Sequence, residues 1–202
     1  MSYLICGVAG YFIGCINAAY LLGKSKGFDI RSKGSNNPGA SNAAITMGIK
    51  VGVVVGAWDI LKAVIAVFLA KLIFPNDALI GTVAGVSCVL GHMFPVFMGF
   101  KGGKGFASFM GMMLVSNWKA FLVIGVIAVL ITVITDYIAL ATLTTVISYP
   151  LYIIYSTGEY LIPMVIAIAS LAMVFKHLIN LKRIVEGSEI GLSSLWKKKT
   201  SV

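Results

Sequence analysis

The chain has 202 residues, 59% of them hydrophobic and only 11% charged, with a formal net charge of +9. A soluble domain carries about a quarter charged residues, so with a mean hydropathy of +0.97 a water-soluble globule is excluded and the solvent is a bilayer. The basic excess does not signal nucleic acid: the lysines and arginines gather in short stretches beside apolar runs, the pattern that sets membrane orientation.

Apolar runs of spanning length, roughly 20 residues, recur along the chain. They are continuous rather than alternating, which favours helices over a closed barrel. The first predicted helix covers 3–22. It has no basic leading region and no small-residue cleavage site, so it reads as a retained helix rather than a signal peptide. A polar stretch follows from Lys24 to Lys50. The second helix, 51–74, stops at Pro75-Asn76-Asp77. The third, 78–98, ends in the polar stretch Gly99 to Gly105. Breaks at 116–119, 135–136 and 156–159 divide the remainder into segments 106–115, 120–134, 137–155 and 160–175. The first of these is too short to cross alone at about 1.5 Å per residue.

Charge fixes the parity. Thirteen of the 16 basic residues lie at 24–50, 101–104 and 176–199, and the positive-inside rule puts all three regions in the cytoplasm. An even number of crossings then separates Lys104 from Lys176. The reading is an all-α integral membrane protein, one domain over 1–202, with seven helical segments, the N-terminus outside and the C-terminus cytoplasmic. Five crossings with two segments failing to span is the alternative. Lys197, Lys198 and Lys199 form a solvated tail that meets anionic headgroups. Cys6, Cys15 and Cys88 sit in apolar runs without metal-ligand spacing and read as packing residues.

Three polar regions face one compartment, each suited to an anion. In the first, Gly34 to Asn42, glycines let several amides point one way, and Ser35, Asn36, Asn37, Ser41 and Asn42 add side-chain hydrogen bonding. Ser41 or Asn42 is a candidate cap for a short helix. An ordinary turn is an equal reading of this segment alone. The second holds His92 and the run Phe100-Lys101-Gly102-Gly103-Lys104-Gly105 ahead of a helix start, where backbone donors plus Lys104 would cradle a phosphate. It is not a Walker A loop, because Met98 and Gly105 stand where Gly and Ser or Thr are needed. His92 is a candidate ligand for substrate or a structural residue. The third carries His177, Asn180 and Arg183 on one helical stripe, followed by Glu186, Gly187, Ser188 and Glu189. A snorkelling basic helix end is the plainer reading there. Asp59 and Lys62, three apart inside the second helix, are expected to pair, since ionisable groups within a span are costly.

With Gly34 to Asn42, Asp59 to Lys62, Gly91 to Gly105, and His177, Asn180, Arg183 and Gly187-Ser188-Glu189 on the page, the chain resembles the bacterial acyl-phosphate-dependent glycerol-3-phosphate acyltransferases over nearly its whole length. The resemblance implies an inner-membrane enzyme with its site at the cytoplasmic face. It implies transfer of a fatty acyl group from acyl phosphate to the 1-hydroxyl of glycerol 3-phosphate, without metal or other cofactor and without acyl-CoA. Lysophosphatidic acid and phosphate would be the products. Membrane lipid would be the surroundings, and no nucleic acid a partner.

The resemblance assigns the catalytic positions to Ser35, Lys104, His177 and Asn180. Substrate and phosphate binding falls to Gly34, Asn37, Gly39, Ser41, Asn42, His92, Lys101, Gly102, Gly103, Arg183, Ser188 and Glu189, with Asp59 and Lys62 as support. It implies no acyl-enzyme, with proton removal assisted by the donor's own phosphate. One departure stands out: the family places an Arg three residues beyond Asn42, where this chain has Ile45, with Lys33 and Lys50 as possible replacements. A second is Asn17, where the family commonly has Pro. A divergent paralogue with another acceptor, or a transporter of a phosphorylated metabolite, are the competing readings.

Overall fold

The computed structural model describes residues 1–195 and is helical, with no strand among them; the predicted lysine tail at 197–199 lies outside the described residues. The chain runs through α1 (Ser2–Cys15), α2 (Ala18–Ser25), α3 (Ala40–Met47), α4 (Ile49–Ile73), α5 (Ala78–Met93), α6 (Phe106–Ser116), α7 (Trp118–Thr135), α8 (Ile138–Thr157) and α9 (Leu161–Val185), with short 3-10 turns at 30–32, 96–98 and 192–195. Six stretches are long and apolar enough to cross a bilayer, the first being α1 and α2 together; α6 is apolar but has only 11 residues. At about 1.5 Å per residue it reaches roughly half the depth of a hydrocarbon core.

Polar side chains set the helix boundaries. Asp77 accepts from the amides of Leu79 and Ile80 at the start of α5. Asn117 accepts from Ala120 N at the start of α7. The predicted single first helix is instead broken at Ile16. Asn17 Oδ1 takes the amide of Tyr20 at 2.8 Å, a bond that an unbroken helix would give to the Ile16 carbonyl. The freed carbonyl receives Trp58 Nε1 at 3.2 Å and Lys62 Nζ at 3.1 Å. The last helix runs ten residues past the predicted end at 175, because 176–185 keeps one polar stripe facing the protein.

Small residues bring the helices together. A methyl group added at Gly10 would overlap the Ala84 carbonyl, at Gly14 the Cys88 carbonyl, and at Gly91 the Tyr11 carbonyl, so α1 and α5 touch backbone to backbone. Gly111 does the same for α6 against Ile60 of α4. In a bilayer, where no hydrophobic drive separates lipid from protein, such close approach is a principal source of helix association. A core of Met93, Phe109, Met112, Tyr149, Ile166 and Met173 joins α5, α6, α8 and α9.

One end of the bundle is built from loops that hold each other. Arg31 forks onto Asp29, with Nε to Oδ1 at 3.0 Å and Nη2 to Oδ2 at 2.7 Å, and its Nη1 donates to Met98 O at 2.8 Å. The first polar loop is thereby tied to the second, and the guanidinium holds the Asp29 carboxyl down at about 2. The C-terminal segment returns to the same end, where Ser193 N and Oγ both donate to Asp136, each at 2.7 Å.

Candidate active site

A cavity of about 160 Å³ opens among these loops, the middle of α4 and the ends of α5, α6, α8 and α9. Each of the three polar regions contributes to it: Ser35, Asn37, Gly39 and Ser41 from the first, His92 and Lys104 from the second, His177, Asn180 and Glu189 from the third. Asp59 reaches it from α4.

Lys104 is the group that gives the cavity its character. It is partly buried, and among the described residues no hydrogen bond or ion pair ends on its ammonium. Burial holds that ammonium below the ordinary lysine range; Glu189 draws it back up, and Arg183 pushes it further down. A desolvated cation without a direct partner is a strong anion receptor. Gly105, in the left-handed region at φ 91°, turns the chain directly into α6. Gly105, Phe106 and Ala107 line the cavity, so the first turn of α6, with its unshared amides, faces the same space as Lys104. Ser35 lines the same cavity, with its amide bonded to Asn42 Oδ1 at 2.8 Å. Its hydroxyl has no bond among the described residues.

Behind the cavity lies a buried ionic cluster. Lys62 Nζ, on a fully buried residue, touches three acceptors: Asp59 Oδ1 at 2.7 Å, His92 Nδ1 at 2.9 Å and Ile16 O at 3.1 Å. The expected Asp59–Lys62 pair is therefore present as an ion pair, with His92 Nδ1 also 3.3 Å from Asp59 Oδ1. Lys62 itself does not line the cavity; Asp59 and His92 do.

Several expected ligands are placed elsewhere. The amides of Gly102 and Gly103 donate to Met93 O at 3.1 Å and His92 O at 3.1 Å. They fold the loop back against the end of α5 and are not free to cradle a phosphate. A Cβ at Gly102 would overlap the His92 carbonyl, and one at Gly103 the His92 ring; these glycines serve close packing. Lys101 is exposed on another face of the loop, beside Arg31 and Ser32, outside the cavity. Asn42 is fully buried and its amide is consumed by Ser35 N, Ile30 O and Lys33 O. Gly34, at φ 59°, turns the chain around that amide. Both are therefore loop architecture. Neither Ser41 nor Asn42 caps α3, whose N-cap is Gly39. Ser188 is exposed and bonds back to Arg183 O. Arg183 acts on Lys104 through its charge but does not line the cavity. Ile45 does line it, whereas Lys33 and Lys50 do not.

Lys176 is the residue that sequence reasoning missed. It reads as one more interfacial lysine. In the structure its Nζ donates to Met93 O at 2.7 Å, Gly103 O at 3.1 Å and Gly102 O at 3.3 Å, and sits 4.7 Å from the centre of the Phe94 ring. It pins the loop carrying Lys104 to the helix carrying His177 and Asn180. The strap 190–194, which lines the cavity in part, was also not expected.

This architecture defines a class: a polytopic helical membrane protein with a partly buried, cationic cavity at one end of its bundle. Residues 4–187 match the family described as glycerol-3-phosphate acyltransferase. The chain belongs to that family, which is a family of membrane-integral enzymes. It is 37% identical over its full length, and over the full length of the relative, to glycerol-3-phosphate acyltransferase 1 of Oceanobacillus iheyensis. It is 38% identical to the glycerol-3-phosphate acyltransferase of Brucella anthropi, covering 90% of this chain and 89% of that one. The crystal structure of PlsY (YgiH), an integral membrane glycerol 3-phosphate acyltransferase, in its glycerol 3-phosphate form superposes with a TM-score of 0.90 at 32% identity, covering 97% and 98% of the two chains. The lysophosphatidic acid form gives 0.86 at 31%, covering 96% and 97%.

Proposed function

We propose that the chain transfers a fatty acyl group from acyl phosphate to the 1-hydroxyl of glycerol 3-phosphate, releasing lysophosphatidic acid and phosphate. The observation that carries this reading is Lys104: a half-buried cation with no hydrogen bond or ion pair among the described residues, beside the first turn of α6, in a cavity formed by all three polar regions. Both substrates carry phosphate, and one is a lipid. A site between the loops and the helix ends meets a water-borne dianion and a bilayer-borne donor at once. Ser35 and Asn37 on the first loop, and His177 and Asn180 on α9, are the other groups within reach of substrate. Asp59, Lys62 and His92 brace the floor. Ser35 serves as a hydrogen-bonding ligand, not as a nucleophile, since among the described residues no hydrogen bond joins its hydroxyl to a base.

The protein is a single domain of a bacterial inner membrane, with the N-terminus outside and the cavity open to the cytoplasm. Basic residues at 24–33, 101–104 and 176–183 lie toward the cavity end. The short α6 supports seven traverses. Ser108 Oγ bonds Asp59 O midway along α4, and Lys71 Nζ bonds Val115 O near the far end. The loop 99–105 therefore carries the chain inward and α6 completes the passage.

Purified protein given acyl phosphate and glycerol 3-phosphate is expected to release phosphate only when both are present. Lys104→Ala is expected to lower kcat/KM by about 10- to 150-fold, the loss of one charged contact of about 1.5–3 kcal/mol. Uptake of glycerol 3-phosphate into vesicles without product would overturn the reading.

A further inference from the structure

The segment after α9 is held at both ends, and between its anchors it forms part of the cavity wall. Gly187, at φ 70°, turns the chain off α9. The amides of Ser188 and Glu189 both donate to Arg183 O, at 2.8 and 3.2 Å, and Glu189 Oε1 accepts from Asn180 Nδ2 at 2.6 Å. The far anchor is Asp136, which ends α7 in the left-handed region at φ 69° and leads into α8. Its carbonyl accepts from Leu192 N at 2.8 Å. Its two carboxylate oxygens accept from Ser193 N and Ser193 Oγ, each at 2.7 Å. Gly191 lies flush against that carboxylate, since a Cβ there would overlap Oδ2. Ile190, Gly191, Leu192 and Ser194 line the cavity, as do Ile138 and Ala139 at the start of α8. The strap therefore crosses from α9 to α8 and closes the cavity between them.

A wall at that place has a chemical task. An acyl phosphate is a mixed anhydride, and water can take its acyl group as well as an alcohol can. In hydrolysis the water oxygen bonds to the acyl carbonyl carbon and the bond from that carbon to the phosphate oxygen breaks. One water proton stays on the fatty acid and the other leaves on hydrogen phosphate. Water outnumbers any dissolved alcohol, so transfer wins only where water is kept from the reacting carbon. We propose that the strap is the wall that keeps water from the bound acyl phosphate, with Asp136 as the positioning residue that clips it shut, so that this contact decides between alcohol and water as acyl acceptor. The inference rests on the acyltransferase reading above. Ile190 and Leu192 suit the task, because an apolar side chain at the cavity offers water no hydrogen bond.

The test is the amount of lysophosphatidic acid formed per phosphate released by the full chain in detergent, given acyl phosphate with and without glycerol 3-phosphate. The wild type is expected to form about one product per phosphate and to release little phosphate without the acceptor. Asp136→Gly removes both carboxylate acceptors and suits the left-handed backbone at that position, so the helix boundary is kept. It is expected to raise acceptor-independent phosphate release by about tenfold and to bring the product-to-phosphate ratio below about one half. Ser193→Ala, which loses the hydroxyl bond but keeps the amide one, is expected to fall between the two. Adding Lys104→Ala to Asp136→Gly is expected to remove the extra hydrolysis, which places it in the cavity. A merely structural role would lower product and phosphate together and leave their ratio at the wild-type value. That result in Asp136→Gly would overturn the proposal, as would extra hydrolysis that survives Lys104→Ala. Should Asp136→Gly not fold, Gly191→Ala carries the same test, because its methyl group must push the strap off the Asp136 carboxylate. A wild-type chain that forms no lysophosphatidic acid would instead overturn the acyltransferase reading.

Discussion

The loops at 34–42 and 99–105 look alike as sequence, glycine-rich and polar, yet they are held in opposite ways. The first is organised from within: the buried amide of Asn42 gathers one backbone amide and two carbonyls of the chain that turns around it. The second is organised from outside, by a lysine of α9 that collects two of its carbonyls together with the last carbonyl of α5. In both, glycines provide room for close approach. In the second, the amides of Gly102 and Gly103 are spent on the end of α5. What reaches the cavity is chiefly side chains, Ser35 and its neighbours from one loop and Lys104 from the other. A glycine-rich stretch therefore does not make an anion cradle by itself; the decisive question is where its amides point.

The sharpest way to break this comparison is to remove the outside organiser. Lys176→Met is expected to lower turnover by about 100-fold, because two charge-assisted bonds to the loop and one to the end of α5 vanish. Lys176→Arg, which can reach some of the same carbonyls, is expected to recover at least a tenth of wild-type activity. A Lys176→Met enzyme within twofold of wild type would mean that the second loop also holds itself. Removing the inside organiser, Asn42→Ala, is expected to cost about 1–3 kcal/mol of stability, read as a lower unfolding temperature in detergent. Its activity loss at a permissive temperature should be smaller than that of Lys176→Met.

Acid–base behaviour sharpens the contrast further. The Lys104 ammonium lies below the ordinary lysine range, and it is the protonated form that binds phosphate. Binding is thus complete at neutral pH and fails as pH rises, earlier than for an exposed lysine. Lys104→Arg, always charged, is expected to abolish that alkaline limb of kcat/KM at some cost in maximal rate. The smallest effect belongs to Lys101, three residues away and exposed: Lys101→Ala is expected to stay within twofold of wild type.

Much of this was legible in the chain itself. Hydrophobic length gave the spans, and the lysine clusters gave a common face for three distant polar stretches, which the cavity unites. The spacing of Asp59 and Lys62 foretold their pairing. Other features had no local signal. Whether an amide in Gly102-Gly103 points at a ligand or at Met93 depends on the packing of α5, which spacing does not encode. Lys176 looked like a solvated helix end because its partners lie more than 70 residues away. Asn42 looked like a ligand because a buried amide and an exposed one are the same letter. The break in the first span was missed for a related reason: Asn17 sits in an apolar run that otherwise reads as unbroken.

That break has a consequence for how the molecule is made. Asn17 captures the Tyr20 amide, and this liberates the Ile16 carbonyl that accepts from Lys62. A charged side chain with no exposure to water can shed its hydration only when every proton has somewhere to go. The helix bearing Lys62 therefore settles only against a first span that is already in place and already kinked. Synthesis from the amino end delivers the receptor before the cation, and an order of assembly is thus written into one asparagine.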